Sequence, residues 1–228
     1  MNISTTSAFT LLGIWALLPP VAIQSNEDGK WSIEVGAGAG QYEVVTRSCS
    51  GEVLSSRPVE FVTGGTVVEY EVSNVRFDLF GGGTSVPGEL ERDGLFLGGL
   101  VAYEWTGVGL GGGVVRLPSG SAPSIYLRLG NRDRVHFRTD FLAPNPTPGI
   151  TGLFRAGVGF PIGSTRALAG FSAFRGLDLD RVSDWGGLFA EFGVPLGRVW
   201  EARLAGSVHN REEYADWAVG IGLRLRPH

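Results

Sequence analysis

Apolar and polar positions alternate with a period of two through the C-terminal part of the chain, in stretches of about ten residues broken by Gly, Pro and Asn. In Tyr214 to Leu225, one phase holds Ala215, Trp217, Val219, Ile221, Leu223 and Leu225. The other holds Tyr214, Asp216, Ala218, Gly220, Gly222 and Arg224. Successive side chains of a strand point to opposite faces, so this segment predicts a strand with one greasy face and one face of Gly and charge. Ala202, Leu204 and Val208 alternate in the same way with Glu201, Arg203, Ser207 and His209, and Leu188, Ala190, Phe192 and Val194 alternate with Gly187, Glu191 and Gly193. In a soluble sheet the exposed face is rich in Lys, Glu and Thr, and the buried face carries the volume. Here the polar face is mostly Gly with a few opposed charges, which suits the lumen of a closed barrel whose apolar face meets lipid.

Turn chemistry divides the rest into hairpins. Short connections are expected at Trp105-Thr106, Asn131-Arg132, Pro161 to Ser164 and Pro195 to Arg198, and longer ones at Pro118 to Ala122, Ala143 to Gly149, Gly176 to Asp184 and Asn210 to Glu213. Strands are then expected over 94–104, 107–117, 123–130, 134–142, 150–160, 165–175, 185–194, 199–209 and 214–225. The phases of 107–117 and 165–175 stay open, because Gly or competing apolar residues fill both. In the N-terminal third, Lys30 to Gln41 alternates cleanly. Thr66 to Phe80 shifts phase, which suggests a bulge near Ser73-Asn74. That makes eleven strands, and single-chain bacterial barrels have an even number. Val59 to Thr63 supplies the twelfth if Gly64-Gly65 forms a hairpin turn. The expected fold is an all-β antiparallel transmembrane barrel of about 12 strands, with 10 or 8 as alternative counts.

Composition sharpens this picture. Among 228 residues, 36 are Gly, 6 Trp and 13 Phe, with one Cys and one Met, which disfavours a helical protein. The formal charge of −4 with scattered Arg leaves no nucleic-acid footprint. No apolar run beyond the N-terminus is long enough for a transmembrane helix. Ala8 to Ile23 has the length of a signal-peptide core, although no Lys or Arg precedes Lys30. The expected division is a signal peptide over 1–25 and a barrel domain over 26–228. Trp31, Trp105, Trp185, Trp200 and Trp217 fall near strand ends, as an interfacial girdle requires.

Over residues 30 to 225 the chain resembles the outer-membrane β-barrel proteins of Gram-negative bacteria, in the broad porin-like sense, through architecture and without a diagnostic motif. The resemblance implies an outer-membrane location among lipid and lipopolysaccharide, and insertion by the barrel-assembly machinery. Members of that group commonly end the last strand on an aromatic, whereas this chain ends Leu223-Arg224-Leu225-Arg226-Pro227-His228.

The candidate chemistry is sparse. The expected phases put Glu34, Arg128, His136, Arg138, Asp140, Arg155, Glu191, Glu201, Arg203, Asp216 and Arg224 in the lumen. They would form either a charge ring that sets ion selectivity or a self-satisfying ionic network. A lipid hydrolase would need a nucleophile and base, and Ser207 with His209 is the nearest approach; an i,i+2 pair on one strand has poor geometry for it. The loops Gly81–Asp93 and Gly176–Asp184 are acidic but lack a calcium-loop spacing. Gly109-Leu110-Gly111-Gly112-Gly113 lacks the following helix that a dinucleotide site needs. No cofactor, metal or catalytic residue is expected. A non-enzymatic pore or transport barrel is the leading expectation, ahead of a structural or receptor barrel, a lipid hydrolase, and a soluble lipocalin-like barrel with its apolar face inward.

Overall fold

The computed structural model describes residues 29–86, 94–146, 152–173, 186–211 and 214–227. Twelve strands follow one another: β1 (Gly29–Arg47), β2 (Val53–Val72), β3 (Val75–Ser85), β4 (Gly94–Glu104), β5 (Val108–Leu117), β6 (Gly120–Gly130), β7 (His136–Phe141), β8 (Phe154–Ile162), β9 (Thr165–Ala173), β10 (Gly187–Pro195), β11 (Trp200–Arg211) and β12 (Tyr214–Leu225). Each pairs antiparallel with its sequence neighbours. β1 closes the ring on β12, in register from Ile33↔Leu225 to Gln41↔Trp217. A closed ring leaves no row of unpaired backbone groups, which lipid would not tolerate.

The expected strand number is met, but two boundaries differ. Val59 to Thr63 is the middle of β2, and Gly64-Gly65 continues that strand opposite Ala37 and Gly36. The hairpin turn is Ser73-Asn74, where Ser73 takes φ 54°. The phase shift read as a bulge is therefore the chain reversing from β2 into β3. Gly-Gly was a misleading turn signal: these glycines make room. A Cβ on Gly65 would stand 2.5 Å from the Gly81 carbonyl oxygen and 2.8 Å from that of Pro146.

The connections also differ. Ser73-Asn74, Trp105–Gly107, Asn131–Val135, Gly163-Ser164 and Leu196–Val199 lie at one end, beside the start of β1 and the end of β12. At the opposite end, Pro118-Ser119 is a two-residue turn between paired Leu117 and Gly120, shorter than expected. β11 and β12 stay paired as far as Arg211↔Tyr214. Ser48–Glu52 alone joins β1 to β2, which begins at Val53. β1 and β2 stay paired as far as Arg47↔Val53, while their outer neighbours stop at Gln41↔Trp217 and Val62↔Ser85. That hairpin projects beyond the ring by about six residues, on the order of 20 Å at a strand's rise.

The faces follow the sequence pattern. Leu95, Leu188, Leu97 and Ile221 are 74%, 71%, 69% and 68% exposed, and Leu79, Val114, Ile125, Leu204 and Val219 join them in an outward apolar belt that covers the ring. In β5 and β9, whose alternation is ambiguous in sequence, Leu110, Val114 and Phe171 point out. Such a surface would be an aggregation hazard in water and is the normal exterior of a membrane barrel. A lipocalin-like arrangement needs the opposite. Trp105 and Trp200 are exposed at the short-turn end, with Tyr103 stacked 4.2 Å from Trp105, and half-buried Trp31 pairs with Tyr70. Trp217 is exposed nearer the other end. Trp185 lies outside the described residues.

Insertion of six Gly/Ser residues between Ser73 and Asn74 should leave the heat-modifiable folded band on unboiled SDS gels intact. The same insertion between Gly64 and Gly65 should abolish it, by forcing a loop into the β1–β2–β3 ladder.

Candidate functional site

Because side chains alternate, the positions opposite the apolar belt must fill the interior, and charge there has to be neutralised. At the short-turn half this is done by two ionic chains. In the first, Arg224 of β12 meets Glu69 of β2 at 2.7 Å, and Glu69 lies 4.0 Å from Arg76 of β3. Arg76 then binds Asp78 at 3.0 Å and Glu104 of β4 at 2.5 Å, and Glu104 accepts from Arg128 of β6 at 2.8 Å. Arg128 also donates to the carbonyl oxygens of Trp105 and Gly130.

The second chain runs round the other side. Arg138 of β7 donates to Asp140 at 2.7 Å, and Asp140 accepts twice more from Arg155 of β8. Arg155 reaches Glu191 of β10 at 2.5 Å, Glu191 lies 3.7 Å from Arg203 of β11, and Arg203 grips both oxygens of Glu34 on β1 at 2.8 and 2.9 Å. Tyr126 of β6 links the two chains, its ring 4.6 Å from the Arg76 guanidinium and 5.4 Å from that of Arg138. Glu201 joins through Arg203 at 3.7 Å and Arg226 at 3.3 Å. The cations are all Arg, since Lys30 is the chain's one lysine. The guanidinium fork can bond two carboxylates at once, which an ammonium on a flexible stem does poorly.

Nine of the eleven expected lumen charges therefore meet in this network, by the residue numbers the phases gave. His136 points inward too, over Gly159, and among the described residues its hydrogen bond is to the Arg134 carbonyl oxygen through Nδ1. The Asp216 side chain lies outside the described residues. The sequence reading missed Glu69, Arg76, Asp78 and Glu104. The misplaced β2–β3 boundary hid the first three, and Glu104 sat at a strand end. Arg132 was also missed, although it was placed in a turn: it reaches back across the mouth to within 3.9 Å of Glu69 and Glu71 on β2.

The opposite half of the lumen is apolar, which the alternation did not foretell. Phe80, Phe96, Leu100, Val115, Leu117 and Ala122 pack inward with Leu142, Ala143 and Leu153. The last three lie between β7 and β8 and fold inward; Leu142 and Leu153 were expected inside the strands 134–142 and 150–160, and Ala143 in the longer connection between them. Leu142 makes the turn with φ 50°, a strained conformation for a bulky residue. Its N–H donates to Leu153 O at 2.7 Å, and its carbonyl accepts from Ser124 Oγ at 2.9 Å. From there Pro144–Pro146 crosses the barrel, bringing the Pro146 oxygen against Gly65 of β2. Val59, Phe61, Val86 and Ala218 pack a second apolar cluster farther out.

A cavity of about 340 Å³ remains at the short-turn end, bounded by both ionic chains and by Pro144. A much smaller polar pocket of about 30 Å³ continues past Pro144–Pro146, along Gly36, Gly220 and Gly222. Just beyond β12, burial and the nearby Arg224 pull the Arg226 guanidinium down to about 10, so it stays cationic at neutral pH. Ser207 is buried and inward, away from lipid. Among the described residues no cluster of His, Cys, Asp and Glu could hold a metal ion.

A closed antiparallel ring of twelve strands, apolar outside and ionic inside, defines a transmembrane β-barrel. No protein-family model and no curated protein matches the chain. Among solved structures, a variant of the Rh. blastica porin aligns at 9% identity with a TM-score of 0.38, covering 88% of this chain and 99% of its own. Outer membrane phospholipase A from Escherichia coli aligns at 12% identity with a TM-score of 0.34, covering 94% and 96%. At such scores neither likeness extends beyond the general barrel outline.

Arg155→Ala leaves buried Asp140 with Arg138 alone and buried Glu191 with Arg203 at 3.7 Å, and should cost about 3–5 kcal/mol of stability. Adding Asp140→Asn and Glu191→Gln should recover most of that loss. Urea unfolding in lipid, followed by tryptophan fluorescence, reads both.

Proposed function

We propose that the protein is an outer-membrane barrel of a Gram-negative envelope and works as a narrow, selective solute pore, not as an enzyme. One observation carries the reading: the interior keeps a charged cavity of about 340 Å³, and a polar pocket continues from it along the Gly-lined wall of β1 and β12. A purely structural barrel of this size has no need of such a vestibule, because side chains can fill the interior. The inward Leu142–Pro146 segment then acts as the constriction, and the paired Arg and carboxylate side chains set which ions pass. Both strand termini and the short turns face the periplasm in this reading, and the projecting β1–β2 hairpin faces outward. The surrounding partners are membrane lipid, lipopolysaccharide at the outer rim, and the barrel-assembly machinery during insertion.

A structural barrel is the second reading. It is favoured by how fully Asp140, Arg155, Glu191 and Glu34 satisfy one another. A lipid hydrolase is less well supported: its nucleophile must reach the acyl chains, and Ser207 faces the lumen.

Planar-bilayer recording separates the first two. The native protein should give small, discrete conductance steps, and deletion of Pro144–Pro146 should enlarge them several-fold. Silence from folded native protein and from the deletion variant alike would leave the structural barrel.

A further inference from the structure

The ionic network is nearly complete, and where it is incomplete is informative. Asp140 is shared between two guanidiniums, and Arg155 takes two of its three bonds. Arg138 therefore spends only its Nε–H on a carboxylate, and its two terminal amino groups have no hydrogen-bond partner among the described residues. Arg132 is held by charge alone, 3.9 Å from Glu69 and from Glu71, too far for hydrogen bonds. Both side chains line the 340 Å³ cavity and keep about a quarter to a third of their surface exposed to it. A donor is missing on the other side of the balance. Asp78 is 2% exposed, bonds Arg76 through Oδ2, and leaves its buried Oδ1 without a donor among the described residues. Asp78 lines the same cavity, which Tyr126 also lines between Arg76 and Arg138.

Unspent guanidinium donors seek an oxyanion, and a buried carboxylate oxygen seeks an O–H or N–H. We propose that this cavity is a binding site for a small hydroxylated oxyanion such as a sugar acid or sugar phosphate. Its carboxylate or phosphoryl group is held by Arg132 and Arg138, and a hydroxyl donates to Asp78 Oδ1. The volume falls at the lower end of the range for small-molecule pockets, which suits a solute of about one sugar ring. The apolar packing around Phe80, Phe96 and Leu142 and the Pro144–Pro146 crossing narrow the far side to a pocket of about 30 Å³, too small for a sugar ring. The solute therefore enters past Arg132 at the short-turn mouth, where that side chain spans from the β6–β7 turn to β2. This site requires only that the cavity be open at that end, and it stands whether or not the barrel conducts.

Titration calorimetry on the folded full-length protein in detergent tests the proposal at low ionic strength. Glucuronate and glucose 6-phosphate serve as carboxylate and phosphoryl probes, with glucose, acetate and inorganic phosphate as controls. At least one hydroxylated anion should bind, more tightly than the bare anion of the same charge group, and glucose should not bind. The tighter of the two identifies the charge group that the site takes. Arg132→Gln lies in a turn and should keep the fold; it should weaken binding by about tenfold or more, and so should Arg138→Gln. Absence of heat with both hydroxylated anions would overturn the site. So would equal binding of glucose, or undiminished affinity in Arg132→Gln. Acetate and phosphate binding as tightly as the sugar anions would overturn the hydroxyl contact to Asp78.

Discussion

The whole structure depends on closing the sheet. A strand in lipid has no water to satisfy its N–H and C=O groups, so an open edge would leave one such group at nearly every other position. Pairing β1 with β12 from Ile33↔Leu225 to Gln41↔Trp217 removes the last edge. Once the ring is shut, the period-two rule turns into a rule about solvent: one face of every strand meets lipid and the other meets the lumen. The apolar belt and the ionic interior are two readings of the same constraint. Even the glycines follow from it. A Cβ on Gly113 of β5 would run into the Gly99 carbonyl oxygen of β4, so that wall curves only because the side chain is absent.

Inside, desolvation sets the design. Arg and carboxylate groups taken from water are stable only when each finds partners, and removing one strands the others. The chain answers with arginines that bridge strands: Arg155 ties β8 to β7 and β10, and Arg203 ties β11 to β1. These bonds run around the lumen, across strands that are already hydrogen-bonded, so they fix the interior's shape while leaving the backbone ladder to fix the ring. The unequal spending of donors, with Arg155 bonding carboxylates through all three nitrogens and Arg138 through one, distinguishes wall from cavity.

Much of this was legible in the sequence, for a definite reason. Where Gly or charge alternates with a large apolar residue, as in β10 to β12, face and register can be read directly, and nine lumen charges were named from that phase alone. Legibility failed where both faces are apolar or where Gly occupies both. Phe80 and Phe96 face inward among outward Leu79, Leu95 and Leu97, and nothing in the pattern tells which set meets lipid. The β2–β3 turn failed differently. Gly64-Gly65 looked like a turn because Gly tolerates one, but it serves close packing against Gly81 and Pro146, and Ser73-Asn74 turns without any Gly. The inward course of Leu142–Pro146 depends on Ser124 and Gly65, residues distant in sequence, so no local signal could carry it.

The central claim is that the apolar face of the ring meets lipid. Spin labels on single cysteines at Val219, Ile221 and Leu223 of β12, introduced with Cys49 replaced by Ser and the protein in bilayers, test it most directly. Collisions with oxygen, which dissolves in lipid, should far exceed collisions with a water-soluble nickel chelate at all three positions. Preference for the chelate at those positions would mean that the belt faces water, and the barrel would have been read inside out.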